Sequence, residues 1–420
     1  MANEYPEAAF RNLDNVPEYG RWDDLYCTIN TPIENDTFDL FASQLNKDLI
    51  SLKENNTEGV SLLAKWLKSE NASAYETKQL GNKTRQYLKY SHKKYRKILS
   101  TLRTRINIVE KLMSEGKWEE INFAKIPSKA GLIYRNAFAH NDLTKERYAE
   151  FINSKETKVN AATLFPYEIV NKVTDKIEDN YYYWDRELSL NINEVERNTL
   201  NKYWENQIDH FKGKSCKAMC IVDTSNSMNN KYNTSVKPID VAISLGMYCG
   251  ERINGPFKNY FISFSSRPQL IEIEGIDFCD KVKRIYEQNL VENTDLKAVF
   301  DMLKNMYLNK NINIEDIPEQ LIVISDMEID RGSNWRDKYR MRTEMEAIRD
   351  EWAEVGLKIP KLYYWNVSAR QNNILDDPEN PDVTFVSGCS PIIFQSVIEG
   401  KSGIQLMLDK LNSNRYNNVK

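Results

Sequence analysis

Only three histidines, His92, His140 and His210, occur in the 420 residues of the chain. That scarcity argues against hydrolysis by a Ser/His or Cys/His pair, although carboxylate chemistry stays open. The six cysteines (Cys27, Cys216, Cys220, Cys249, Cys279, Cys389) are scattered, and only Cys216 and Cys220 are near neighbours. No second Cys or His pair stands at zinc-finger spacing, and several of the thiols lie in apolar stretches, where Cys acts as a small hydrophobe. A reducing cytoplasm is the expected setting. Long apolar runs are missing too. The longest, such as 218–222, is far too short to span a bilayer. The opening MANEYPEAAF carries acids where a signal peptide needs a basic region, so secretion by that route is not expected. Neither sign of charge dominates. Lys+Arg 57 against Asp+Glu 61 gives a formal net charge of −4, so nucleic-acid binding would have to come from local clustering.

What is present is the composition of a soluble globular chain, 41% hydrophobic and 28% charged, long enough for two or three domains. Its pattern changes near residue 212. Before that point apolar residues recur at helical spacing: Phe38, Leu40, Phe41, Leu45, Leu49; then Val60, Leu63, Leu67; then Tyr95, Ile98, Leu99, Leu102, Ile106, Val109, Met113. These stripes read as the packing faces of amphipathic helices. The first 35 residues lack such a period and read as a loosely ordered lead-in. After residue 213 strands and helices alternate. AMCIV, YFISF, LIEIE, QLIVIS, KLYYWNV and VTFVS are six strand candidates, with helices at 238–253, 295–308 and about 335–356. The expected fold is two-domain: an all-α module over 36–212, then an α/β domain over 213–415 with an open, mostly parallel sheet and helices on both faces.

Ligands of such sheets bind beyond the carboxyl ends of the strands. There the first strand runs into Asp223-Thr-Ser225-Asn-Ser227, the fourth ends at Asp326, and Thr294 opens a helix. Three hydroxyls and two carboxylates suit a hard divalent cation. Mg²⁺ takes octahedral oxygen ligands at about 2.1 Å and keeps several waters. Mn²⁺ is the alternative. With few carboxylates in direct contact the ion stays electrophilic and welcomes an acidic group from a partner. These five positions, Asp223, Ser225, Ser227, Thr294 and Asp326, resemble the metal-ion-dependent adhesion site of von Willebrand factor A domains. The family pattern is D-x-S-x-S after the first strand, a Thr before a later helix and an Asp after the fourth strand.

The helical half holds a concentrated positive stretch. Residues 76–111 contain Lys78, Lys83, Arg85, Lys89, Lys93, Lys94, Arg96, Lys97, Arg103, Arg105 and Lys111 against Glu76 and Glu110, a local charge of +9. Tyr87, Tyr90 and Tyr95 interleave with it, a pattern that suits phosphates and unpaired bases. The RNA contacts expected are Lys83, Arg85, Lys89, Lys93, Lys94, Arg96, Lys97, Arg103 and Arg105. The residues that follow, with Trp118, Ile121, Pro127, Ser128, Ala130, Tyr134, Phe138, Arg147 and Tyr148, are similar to a family joining a TROVE-like helical module to a von Willebrand A domain. TROVE modules belong to Ro autoantigens, telomerase-associated proteins and vault components, so this resemblance implies a ribonucleoprotein role.

The expectation is therefore a cytoplasmic, non-enzymatic RNA-binding scaffold. Its partners would be structured or single-stranded non-coding RNA and a protein bearing an acidic residue; neither DNA nor a membrane is expected. A rival is a protein-interaction module in which the basic stretch is only a solubilising surface. A weaker rival is a metal-dependent nuclease or phosphohydrolase using Asp223, Asp326 and Glu328, in an acidic loop that extends to Asp330.

Overall fold

The computed structural model describes the chain apart from residues 1, 55, 57–58, 107, 183–184, 212–213, 231–235, 289–293, 310–312, 328–336, 369–375, 377–378, 400, 402 and 420. The side chains of 179–182, 185–187, 314, 337–343, 396, 403 and 406 are also outside the description. Two compact units divide it: Met1–Ile121 with Met407–Lys420, and Asn122–Leu406.

The first unit is helical: α1 (Pro6–Arg11), α2 (Val16–Tyr19), α3 (Glu34–Lys53), α4 (Leu63–Trp66), α5 (Tyr75–Tyr87), α6 (His92–Arg105) and α7 (Val109–Ser114). Phe38, Phe41 and Leu45 of α3 pack with Leu63 and Leu67 of α4 and with Tyr95, Leu99 and Leu102 of α6. The same core holds Leu13, Leu25, Tyr26 and Ile33. The first 35 residues are thus not a loose lead-in. Their apolar residues sit on short helical turns such as Trp22–Thr28, which never repeat long enough to show a period. The carboxyl-terminal tail joins this unit, with the Asn15 amide donating to the Asn418 carbonyl (2.8 Å) and the Tyr19 and Tyr416 rings 5.0 Å apart.

The second unit begins with α8 (Ser128–His140), α9 (Lys145–Asn153), α10 (Pro166–Thr174) and the antiparallel strands β1 (Ile177–Tyr182) and β2 (Asp185–Leu190), then α11 (Glu194–Glu205). The hairpin corrects the all-α expectation: its Tyr-rich segment favours the extended chain. Next come β3 (Ala218–Asp223), α12 (Pro238–Gly250), β4 (Tyr260–Phe264), β5 (Leu270–Glu272), α13 (Phe278–Glu287) and α14 (Leu296–Leu308). The unit continues with β6 (Gln320–Ser325), α15 (Asp337–Glu354), β7 (Lys361–Asn366), β8 (Val383–Ser387) and α16 (Ile393–Glu399), while α17 (Gly403–Leu411) crosses into the first unit.

All six expected strands form one sheet in the order β5-β4-β3-β6-β7-β8. Every pairing is parallel except β4 with β5. Every residue of β3 is buried, so both faces of the sheet are covered at its centre. Among the described residues no helix is long and apolar enough to cross a membrane.

The compact units meet at Ile121 and Asn122 and not at 212, because the sheet packs against residues that precede it. All thirteen residues of α12 are buried, and α10 packs against it from the side away from β3. A helix buried along its whole length needs cover on two sides, and here residues 122–206 supply the second. A fragment starting at residue 213 should therefore lose cooperative unfolding in urea, whereas residues 122–406 should keep a single steep transition. Equal transitions for both would return the boundary to 212.

Candidate metal centre and basic face

In this sheet the chain leaves β3 toward β4 on one side and returns to β6 on the other. The switch point between β3 and β6 opens a crevice at their carboxyl ends, where such sheets place ligands. Asp223 is the last residue of β3, and Asp326 directly follows β6. Both are fully buried. The Ser225 amide donates to Asp223 Oδ1 (2.8 Å), which folds the D-x-S-x-S turn, and the Ser225 and Ser227 hydroxyls lie 3.0 Å apart. Ser227 belongs to the 3₁₀ turn Asn226–Asn229, which packs on α12. Thr294 is buried and stands just before Asp295, the N-cap of α14. Because α14 leads into the amino end of β6, its own amino end lies at the carboxyl edge of the sheet. All five expected residues thus belong to one edge.

The electrostatics of this edge call for a cation. Burial pushes the Asp223 carboxyl up to about 6, the Asp326 carboxylate beside it pushes the same way, and hydrogen bonds from Ser325 and Ser225 offset only part. Among the described residues no Lys or Arg touches Asp223; its neighbours are hydroxyls, one backbone amide and a second carboxylate. Nor do three or more His, Cys, Asp or Glu side chains gather anywhere among the described residues as a metal cluster. The donor set here is instead two carboxylates with hydroxyls, hard oxygens that fit Mg²⁺ or Mn²⁺. Asp223, Ser225, Ser227, Thr294 and Asp326 would hold the ion, which when bound supplies a Lewis-acidic position for an anionic oxygen. Glu328 and Asp330 lie outside the described residues.

One participant was not anticipated. Ser325, the last residue of β6, donates its hydroxyl to Asp223 Oδ2 (2.5 Å) and accepts the Met327 amide (3.0 Å). Met327 has φ 61°, a left-handed backbone that a long side chain seldom adopts. Ser325 therefore pins Asp223 and the turn after Asp326 together. Its only sequence signal was position, a Ser closing a buried strand beside a candidate ligand.

The basic stretch divides into two classes. Arg103 turns inward, donating to the carbonyls of Ala64 and Leu67 (both 2.8 Å) and to Ser69 Oγ (3.2 Å). Arg85 lies 3.0 Å from Glu70 Oε2 and donates to the Tyr90 carbonyl; Lys83 pairs with Glu34 at 2.7 Å. Glu70, only 4% exposed, also faces His92 (2.8 Å) and Arg96 (3.6 Å). Tyr95 is core, with its hydroxyl donating to the Lys68 carbonyl, and Tyr87 stacks on Phe38. Arg85 and Arg103 are accordingly structural, as is Tyr95. Lys89, Lys93, Lys94, Arg96, Lys97 and Arg105 are exposed, and Lys94 sits 4.2 Å above the Tyr90 ring. Of the family-like segment after it, Phe138 and Tyr148 pack with Phe123 in a buried aromatic cluster.

Comparison with known proteins gives matches over most of the length. A domain of unknown function, DUF2828, matches residues 33–216, and a second, DUF7788, matches residues 215–417. An uncharacterised protein, L728 of Acanthamoeba polyphaga mimivirus, is 24% identical over 423 residues, covering 92% of this chain and 69% of that protein. The crystal structure of the Deinococcus radiodurans Ro (RSR) protein aligns over 96% of this chain and 93% of that one. Its TM-score is 0.41 at 11% identity, too low to establish a shared fold.

The Ser325 contacts generate a test. Ser325→Ala should lower the thermal transition by about 2–4 °C, since it leaves the buried Asp223 and the Met327 amide each short of a partner, and weaken Mg²⁺ binding on the order of 10-fold, the effect of removing a group that orients a ligand. Titration calorimetry reads it directly; equal affinity for variant and wild type would remove Ser325 from the site.

Proposed function

We propose that this protein is a non-enzymatic RNA-binding scaffold whose sheet unit is a von Willebrand A-like domain that uses a divalent cation to take an acidic group from a protein partner. The observation that carries the metal half is the buried Asp223–Asp326 pair at the switch point, with the Ser225 and Ser227 hydroxyls 3.0 Å apart beside it. A site with two carboxylates and neutral hydroxyls leaves a bound divalent ion short of charge, so a carboxylate from outside completes it. No base or nucleophile of the chain needs to act in that association.

The RNA half rests on the exposed face of α6. Its first turn carries His92, Lys93 and Lys94 and no acid, so cations stand at the positive end of the helix dipole. That arrangement is self-repelling, and a phosphate placed there relieves it. The resemblance to the TROVE-containing family points the same way. The inward Arg85 and Arg103 favour the rival reading, a protein-interaction module without RNA, because they shrink the basic face.

Two experiments separate the halves. Reversing Lys89, Lys93, Lys94 and Lys97 to Glu should abolish most binding of a linear single-stranded RNA and lower the slope of log K against log salt by about 3, at about 0.7 per lost phosphate contact. Acids in the first turn of α6 suit the dipole, so the fold should persist. Unchanged gel-shift affinity would leave the protein-interaction reading in its place. In the second experiment EDTA at matched ionic strength should spare binding of that RNA. Loss on chelation, repeated by Asp326→Ala, would put RNA at the metal centre itself and favour a nuclease.

A further inference from the structure

A groove of about 380 Å³ lies between α8, α10 and the amino end of α12. Its apolar lining includes Leu132, Ile133 and Val236, of which Ile133 is 56% exposed. Its charged lining is mixed: Glu168 and Asp240 are engaged by the protein and Asp175 is exposed, while of its lysines only Lys129 is paired among the described residues. Glu168 is satisfied by Lys129 (3.0 Å) and by the Phe165 amide (3.0 Å). Asp240 accepts from the Tyr286 hydroxyl and, with the amide of Asn171 turned to donate, from Asn171 at 2.9 Å. Lys172 and Lys237 are half-buried, and among the described residues no carboxylate pairs with either. An ammonium group that loses hydration without gaining a counter-charge is at a disadvantage that an incoming anion removes.

The mixture also selects among anions. Successive phosphates of a nucleic acid would meet Glu168, Asp240 and the exposed Asp175 as well as the lysines. A peptide carries one negative charge where it is wanted and neutral or apolar groups elsewhere. The groove shares α12 with the metal site, since the turn bearing Ser227 packs on the same helix.

We propose that this groove seats the flank of the acidic group taken at the metal centre: a mixed-charge peptide segment with one carboxylate for Lys172 and Lys237 and an aliphatic side chain for Ile133. The proposal rests on the metal-centre reading above, and the two can fail separately. The probe is a library of random dodecapeptides displayed on phage, selected on the full chain in Mg²⁺, with the enriched sequences then synthesised. Enriched peptides should carry two acids separated by an aliphatic residue. Lys172→Glu with Lys237→Glu should weaken them at least 10-fold while Mg²⁺ affinity by calorimetry stays at the wild-type value. Exchanging the second peptide acid for Lys should restore binding to that double variant. Ile133→Ser, at an exposed position, gives an independent loss should the double variant fold poorly.

Peptides that lose binding in EDTA but bind the double variant as tightly as the wild type would overturn the groove and keep the metal centre. Peptides that survive EDTA yet fail on the double variant would keep the groove and overturn the metal reading. Failure to enrich any peptide, or loss of a uridine dodecamer rather than a peptide on the double variant, would overturn the groove proposal.

Discussion

A helix buried along its whole length has to be covered from both sides, and much of the second unit follows from that requirement in α12. Toward the sheet, Gly246 and Gly250 let the helix approach closely. A Cβ at 246 would stand 2.6 Å from Val222 Cγ2, and one at 250 would stand 3.0 Å from the Tyr260 carbonyl. Away from it, α10 brings Ile169, Val170 and Val173, none of them exposed. Because α10 is anchored on the outer side, the segment 122–206 becomes part of the sheet unit instead of the helical one. The same docking creates the groove at the amino end of α12, the helix on which the turn bearing Ser227 also packs. Packing in the core thus decides which surface shares that helix with the metal turn.

At that edge opposing forces are held in balance by geometry. Parallel strands bring the ends of β3 and β6 side by side, so two carboxylates are buried together, a situation in which desolvation and mutual repulsion add. Serine hydroxyls and a backbone amide compensate through hydrogen bonds, but dipoles only partly replace a counter-charge. A divalent ion would supply what they lack. Ser325 matters for this reason: its hydroxyl spans from Asp223 to the amide of Met327, tying both sides of the crevice before any ion arrives. Preorganisation of that kind spares the ion the work of ordering its own ligands.

The sequence revealed those parts of the structure whose signals are local. Six strands were visible because continuous β-branched and aromatic runs such as QLIVIS have few other uses, and the shared edge of the five candidate ligands was visible because they stand after two parallel strands and before a helix that returns to the sheet. The docking of residues 122–206 on the sheet was not visible, although its evidence was present. The segment PIDVAISLGMYCG is largely apolar, with one acid, one Ser and one Tyr among thirteen residues, which already implied a second covering layer. The role of Ser325 and the lysines of the groove depend on residues more than 60 positions apart being neighbours, as with Lys172 and Lys237, and no spacing rule encodes that.

Charge shows the gap between composition and surface most clearly. Counting gave +9 over residues 76–111, yet that count treats every cation as available. Arg103 spends its guanidinium on the carbonyls at the end of α4, and Arg85 on Glu70, because short helices leave terminal carbonyls and buried acids that need donors. A planar fork with five donors meets that need better than lysine does. The inward cations are arginines with multiple acceptors, while Lys89, Lys93, Lys94 and Lys97 remain exposed around the amino end of α6. Lys93 and Lys94 in its first turn oppose the helix dipole instead of complementing it, so the isolated unit bears an electrostatic penalty at that end. A surface that is unfavourable alone and favourable once an anion arrives is the physical content of the basic face.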